Sequence, residues 1–156
     1  MAIVRCSFDG ETLTFLEIGN SITLKQGRGF SEPSLVKFEG KWFLTIRSDK
    51  SAFVATSEDG LHYEGLKEWT FDDGSLLGSY NTQQHWAVVK DKLYLIYTRP
   101  DGNNDHVFRH RAPLYIARVD PEMVVVQKIT ERVCIPEDGV ALGNFGVTML
   151  NKDEVW

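Results

Sequence analysis

The residues of this chain that could do chemistry gather in two short stretches. One is the run Pro100-Asp101-Gly102-Asn103-Asn104-Asp105-His106-Val107-Phe108-Arg109-His110-Arg111-Ala112-Pro113, and the other passes through Tyr80, Gln83, Gln84, His85 and Trp86. Arg109 and Arg111, together with Arg47 and Arg99 at the ends of two apolar runs, can hold a carboxylate, because a planar guanidinium fork matches its two oxygens. His85, His106 and His110 can serve as acid or base near neutral pH, with Glu32 and Asp105 as carboxylic partners. Tyr80, Tyr97 and Trp86 offer ring faces for a sugar or a phenolic hydroxyl. Together these groups describe a site for an acidic carbohydrate. His85, His106, Asp105 and Glu32 are its candidate catalytic groups; Arg47, Arg99, Arg109, Arg111, Tyr80 and Trp86 are its candidate binding groups. A plainer reading stands beside it, in which Arg47 and Arg99 are solvated or paired strand ends and Arg109-His110-Arg111 is a charged loop tip. His106 and His110 are four residues apart in a loop with no Cys beside them, so no metal is expected, and no Gly-rich phosphate loop points to a cofactor.

A recurring unit must position these residues. Leu35–Arg47 reads as two short strands around a tight polar turn, Trp86–Arg99 has the same layout, and Phe145–Trp156 begins it a third time. After the strand pairs come apolar runs that end in Asp turns: Ser7-Phe8-Asp9-Gly10, Ser57-Glu58-Asp59-Gly60 and Val119-Asp120-Pro121. Asp-Gly between apolar runs marks a hairpin, since glycine supplies the positive φ that the turn needs. Asp9 and Asp59 are expected to cap local backbone. The turns lie 50 residues apart from Asp9 to Asp59 but 61 apart from Asp59 to Asp120, and the surplus falls in the Pro100–Pro113 loop. Several strands per unit of about 40–50 residues predict an all-β fold, a β-propeller of four-stranded antiparallel blades. The expected blades are a half blade over 1–20, a blade over 31–75, a blade over 84–135 and a half blade over 143–156, about three blade equivalents in all. Strand alternation then places the starts of the first strands, the ends of the second strands and the 100–113 loop on one face.

Composition narrows the function. Of 156 residues, 42% are hydrophobic and 25% charged, which suits a globular domain. A formal charge of −5 argues against a general nucleic-acid binder, which needs clustered Lys and Arg. No apolar run reaches membrane-spanning length, and the amino terminus shows no signal-peptide pattern, so the chain reads as soluble with its localisation unassigned. Cys6 and Cys134 are the two cysteines, and spacing does not say whether they meet.

Ser7-Phe8-Asp9-Gly10 and Ser57-Glu58-Asp59-Gly60-Leu61-His62-Tyr63 look like shortened Asp boxes, and with strand-pair units such as Ser34–Arg47 the chain resembles the sialidase-like (neuraminidase-type) β-propeller superfamily. That resemblance implies a carbohydrate-active propeller. Its members include sialidases, other glycoside hydrolases, polysaccharide lyases and non-catalytic binders. Under that resemblance Arg47 and Arg99 could be two of the three arginines that a sialidase needs, but no Tyr–Glu nucleophile pair is matched, and the His- and Arg-rich loop is at least as similar to uronate-handling lyases. The expectation is a propeller that binds or cleaves an acidic glycan, as glycosidase or lyase; a non-catalytic glycan- or protein-binding module and an inactive fragment remain alternatives. The interrupted third unit predicts either a longer propeller or a homodimer in which two copies complete one ring.

Overall fold

The computed structural model describes residues 1–156 and is all-β. Two antiparallel meanders form its centre. The first orders β3 (Ser31–Phe38), β4 (Lys41–Arg47), β5 (Ala52–Ser57) and β6 (Glu64–Glu68) as neighbours in sequence order. The second runs β7 (His85–Val89), β8 (Lys92–Tyr97) and β9 (Leu114–Asp120), and its outer edge is shared by β10 (Val125–Val126) and β11 (Arg132–Ile135). A two-stranded pair flanks each side: β1 (Ala2–Phe8) with β2 (Leu13–Ser21), and β12 (Met149–Asn151) with β13 (Glu154–Val155). No helix is long and apolar enough to cross a membrane.

Local chemistry explains where the strands stop. Asp59 Oδ1 accepts from the amides of Leu61 and His62, while Ser57 Oγ accepts from the amide of Gly60. Gly60 has φ +77°, and a Cβ there would stand 2.9 Å from the Trp42 ring, so the turn and its packing both require glycine. Asp9 caps the amides of Glu11 and Thr12 in the same way. Asp120 caps those of Glu122 and Met123 although proline follows it. The three Asp turns therefore share one device, a carboxylate that accepts from two amides of the reversing chain.

Two stretches depart from regular strand pairing. The stretch 123–129 pairs with β9 only at Val125 and Val126, because the chain then enters a 3₁₀ turn at Lys128–Thr130 before β11 resumes the edge at Arg132. The last unit, which begins at Phe145 in the sequence pattern, starts its strand only at Met149.

The sheets stack face to face. Sixteen buried residues, among them Phe43, Val54, Trp69, Phe71, Trp86, Leu95 and Tyr97, fill the space between the two meanders. Ile3, Ile22, Leu44, Ile46, Leu61 and Tyr63 seal β1–β2 against the first meander, and Ile96 and Leu114, with Phe145, Val147 and Val155, do so for the second meander and β12–β13. Cys6 and Cys134 are exposed free thiols. Burial of this apolar surface, at roughly 25 cal/mol per Å², fixes the sheets relative to one another and so aligns the connections at their ends.

Candidate functional site

Four connections emerge at one end of the stack: 22–30, 48–51, 69–84 and 98–113. Hydrogen bonds tie them together. The Asn81 amide donates to the Ser48 carbonyl at 2.9 Å, Arg28 forks onto Asp49, and the Tyr80 hydroxyl lies 2.7 Å from His110 Nδ1. Apart from the bridges Thr70–Leu76 and Phe71–Val126, these connections lack ladder partners, so side chains and single backbone bonds satisfy them instead.

Arginines dominate the middle. Glu32 sits in a bulge of β3 with φ +52°, which turns its carboxylate onto Arg47, where Arg47 Nη2 donates to Oε1 at 2.9 Å and Nε donates to Oε2. The hydrogen bond from Arg47 holds the Glu32 carboxyl below the usual carboxylate range against the opposing effect of burial, with the charges of Arg111 and Arg28 adding to it. Arg28 likewise lowers Asp49. Both guanidinium groups also reach the Asn81 side-chain oxygen, Arg47 at 3.0 Å and Arg28 at 3.1 Å. Arg111 Nη2 donates to the Asn81 backbone carbonyl at 3.1 Å. Arg111 has no carboxylate within ion-pair distance, its Nε is buried without a partner, and Gly143 packs against its stem.

Beside Arg111 runs a chain of three polar side chains. His110 Nε2 faces Asp105 Oδ1 at 3.3 Å, and Nδ1 faces the Tyr80 hydroxyl. A carboxylate can only accept, so Nε2 carries the proton in the neutral ring, and Nδ1 is left to accept from the Tyr80 O–H. His110 and Arg111 are consecutive, and they reach the consecutive residues Tyr80 and Asn81.

The expected residues thus divide. Arg47, Glu32, Arg111, Tyr80 and Asp105 come together on this face, with His110 as the histidine that links the last two. Glu32 is ionised and locked to Arg47, which makes it a charge partner and not an acid. His85 lies half-buried nearby, its Nε2 3.2 Å from Gln83 Oε1 and its ring edge-to-face with Phe145; burial holds its pKa down despite the Phe145 backbone and the Glu32 charge. His106 turns outward to Glu137 at 3.5 Å and takes no part. Arg109 is exposed and lies over the Phe108 ring.

Two expected binding residues are engaged elsewhere. Trp86 is 5% exposed, donates its indole N–H to the Ser34 carbonyl at 3.1 Å and packs on Phe43 and Trp69. It is core because both faces of its strand are covered by sheets. Arg99 forks onto Glu131, at 2.9 and 2.7 Å, with its guanidinium over Tyr115 and Phe71. Two carboxylate oxygens, the Pro100 carbonyl and two ring faces leave it no room for a ligand. Arg28, Asp49, Asn81 and Gly143 are the members that sequence reasoning missed. Arg28 carried a usable signal, since the 22–30 connection leads into a first strand and must emerge on this face. The chain was compared with protein-family models, with curated proteins and with solved structures, and none of the three comparisons returned a significant match.

Proposed function

We propose that this chain is a sialidase-like β-propeller module that acts on an acidic glycan by abstracting a proton beside a uronate carboxylate, the chemistry of a polysaccharide lyase. The observation that carries the reading is the Tyr80–His110–Asp105 chain set directly beside Arg111, a guanidinium without an acid partner. Arg111 would bind the carboxylate and stabilise the negative charge that develops on it when the neighbouring carbon loses its proton. Tyr80 passes its hydroxyl proton to His110, whose positive charge Asp105 stabilises, and the phenolate takes the C5 proton. The electron pair of that C–H bond becomes the C4–C5 double bond as the C4–O bond breaks, and a proton from this relay goes to the leaving oxygen. Protons balance, and nothing is oxidised or reduced. The stacking of a four-stranded meander on a five-stranded antiparallel sheet supports the propeller part of the reading.

Polyuronates are the test substrates. The wild-type protein is expected to release products with the ultraviolet absorbance of an unsaturated uronate, and Tyr80→Phe and Arg111→Ala are each expected to lower kcat/KM by about 10²–10⁴-fold. Reducing ends released without that absorbance would refute elimination in favour of hydrolysis. A second reading, a non-catalytic binding module, draws on the pairing of Glu32 with Arg47 and of Asp49 with Arg28, which leaves no free carboxyl among the arginines; binding without turnover would establish it.

A further inference from the structure

We propose that Asn81 is the specificity-determining residue of this face: a neutral oxygen acceptor at the meeting point of three guanidinium groups, which holds them together without cancelling the positive charge that admits a carboxylate. The inference rests on the reading of Arg111 as the anchor for an anionic sugar.

Asn81 is 9% exposed and takes a left-handed backbone conformation, φ +51°, which Asn tolerates better than most residues. Its amide is fixed by the Ser48 carbonyl. Its Oδ1 accepts from Arg28 and Arg47, and its own carbonyl accepts from Arg111. One residue thus engages all three arginines, through three connections of the fold. Its side chain makes no sequence-specific demand for an amide, because two guanidinium donors would bind a carboxylate oxygen more strongly. An Asp at this position would have the same shape and a better acceptor.

Charge explains the amide. Among the groups around Asn81, three guanidinium groups face two carboxylates, Glu32 and Asp49, while the exposed Asp105 faces His110, so one positive charge is left over in this cluster, and it resides at Arg111. A third carboxylate at position 81 would bring acids and arginines into balance. In a buried setting the added charge would oppose an incoming anion far more than it would in water. The amide therefore trades stability of the cluster for its attraction to anions, and the ligand class it selects is a carboxylate-bearing sugar over its neutral counterpart.

The experiment titrates isotope-labelled protein with sodium D-glucuronate, with D-glucose as the uncharged control, and follows chemical shifts beside thermal unfolding. Asn81→Asp is expected to weaken glucuronate binding by about tenfold or more while leaving Tm unchanged or raised. Asp49→Asn, at the acid paired with Arg28, moves the charge the other way and is expected to tighten glucuronate binding. A merely structural role for Asn81 would move Tm and leave the charge preference alone. Asn81→Asp that binds glucuronate within about twofold of the wild type would overturn the inference, as would Asp49→Asn with unchanged or weaker binding. Wild-type protein that binds glucuronate no better than glucose would overturn both this inference and the role of Arg111. Charge-dependent binding with no turnover of any polyuronate would instead uphold the inference and remove the elimination reading.

Discussion

Gly143 provides a direct test of how Arg111 is held. A Cβ added there would stand 2.4 Å from Arg111 Cδ, 2.6 Å from Cγ and 2.7 Å from Nε, all well inside normal contact. The backbone cannot retreat freely, since the neighbouring Leu142 amide donates to the Arg111 carbonyl and Leu142 and Phe145 pack on the second meander. Gly143→Ala must therefore push the arginine stem aside or strain the 142–145 segment. Overpacking of this kind costs about 1–3 kcal/mol, which in a chain of this length lowers Tm by roughly 2–12 °C. Because Nε is already buried and unpartnered, displacement also moves the fork away from the Asn81 carbonyl, and glucuronate binding should fall with it. The assay is a double-mutant cycle in denaturant. Arg111→Ala removes every atom that the new methyl would strike, so most of the Gly143→Ala cost should vanish in that background, a coupling of about 1–2 kcal/mol. Additive losses within about 0.5 kcal/mol, with unchanged glucuronate binding in the single variant, would refute the idea that Gly143 seats the arginine.

Two further outcomes follow from the pairing and packing of the other candidates. Burial raises the Glu131 carboxyl, but hydrogen bonds from Arg99 and Tyr97 outweigh it and hold the group below its ordinary value; a depressed folded pKa means stability present above the unfolded value, about 4.3, and lost as pH falls through the folded one. Acid unfolding curves should show this loss below about pH 4 in the wild type, while Glu131→Gln should be less stable at neutral pH by up to about 3 kcal/mol and flatter toward acid; a parallel acid profile would refute the assignment. Trp86→Ala should cost about 3–5 kcal/mol in denaturant unfolding, as befits a core residue, and a loss below about 1 kcal/mol would return Trp86 to the surface.

Much of the scaffold was readable from local pattern. The Asp turns, the strand pairs from Leu35 to Arg47 and Trp86 to Arg99, and the end of the sheets from which the long loop emerges all follow from short-range rules, namely turn chemistry and alternation. The site was readable only in part. Alternation puts Trp86 on one side of its strand but does not say that a second sheet covers that side, so a buried indole resembled a sugar platform. Arg99 finds its acid 32 residues away at Glu131, beyond an irregular edge that no periodicity marks. Asn81 escaped notice for a different reason: its importance lies in a backbone conformation and in what converges on it, and an amide in a loop announces neither. Asp105 and His110 lie close in one loop and can be paired from the sequence, whereas Tyr80 cannot, because only the fold brings position 80 to position 110.

The charged face follows a logic that separates structure from function. Connections at the ends of sheets cannot use ladder hydrogen bonds, and here they are joined by guanidinium groups. Arg28 and Arg47 each meet a carboxylate, and Arg99 meets another at Glu131, so the bonds that hold the loops are electrically closed. Arg111 departs from that rule. It has one carbonyl, a buried nitrogen with nothing to bond, and no acid, although Glu32 and Asp49 lie within the same cluster. A group that only fastened loops would gain from an acid partner, as the other three do. The departure falls next to His110, whose ring is oriented by Asp105, a residue so exposed that it adds direction and little burial. An uncompensated cation and an oriented proton acceptor on adjacent residues, both reaching across to a phenol and an amide on adjacent residues, form the part of this face that stability alone does not require.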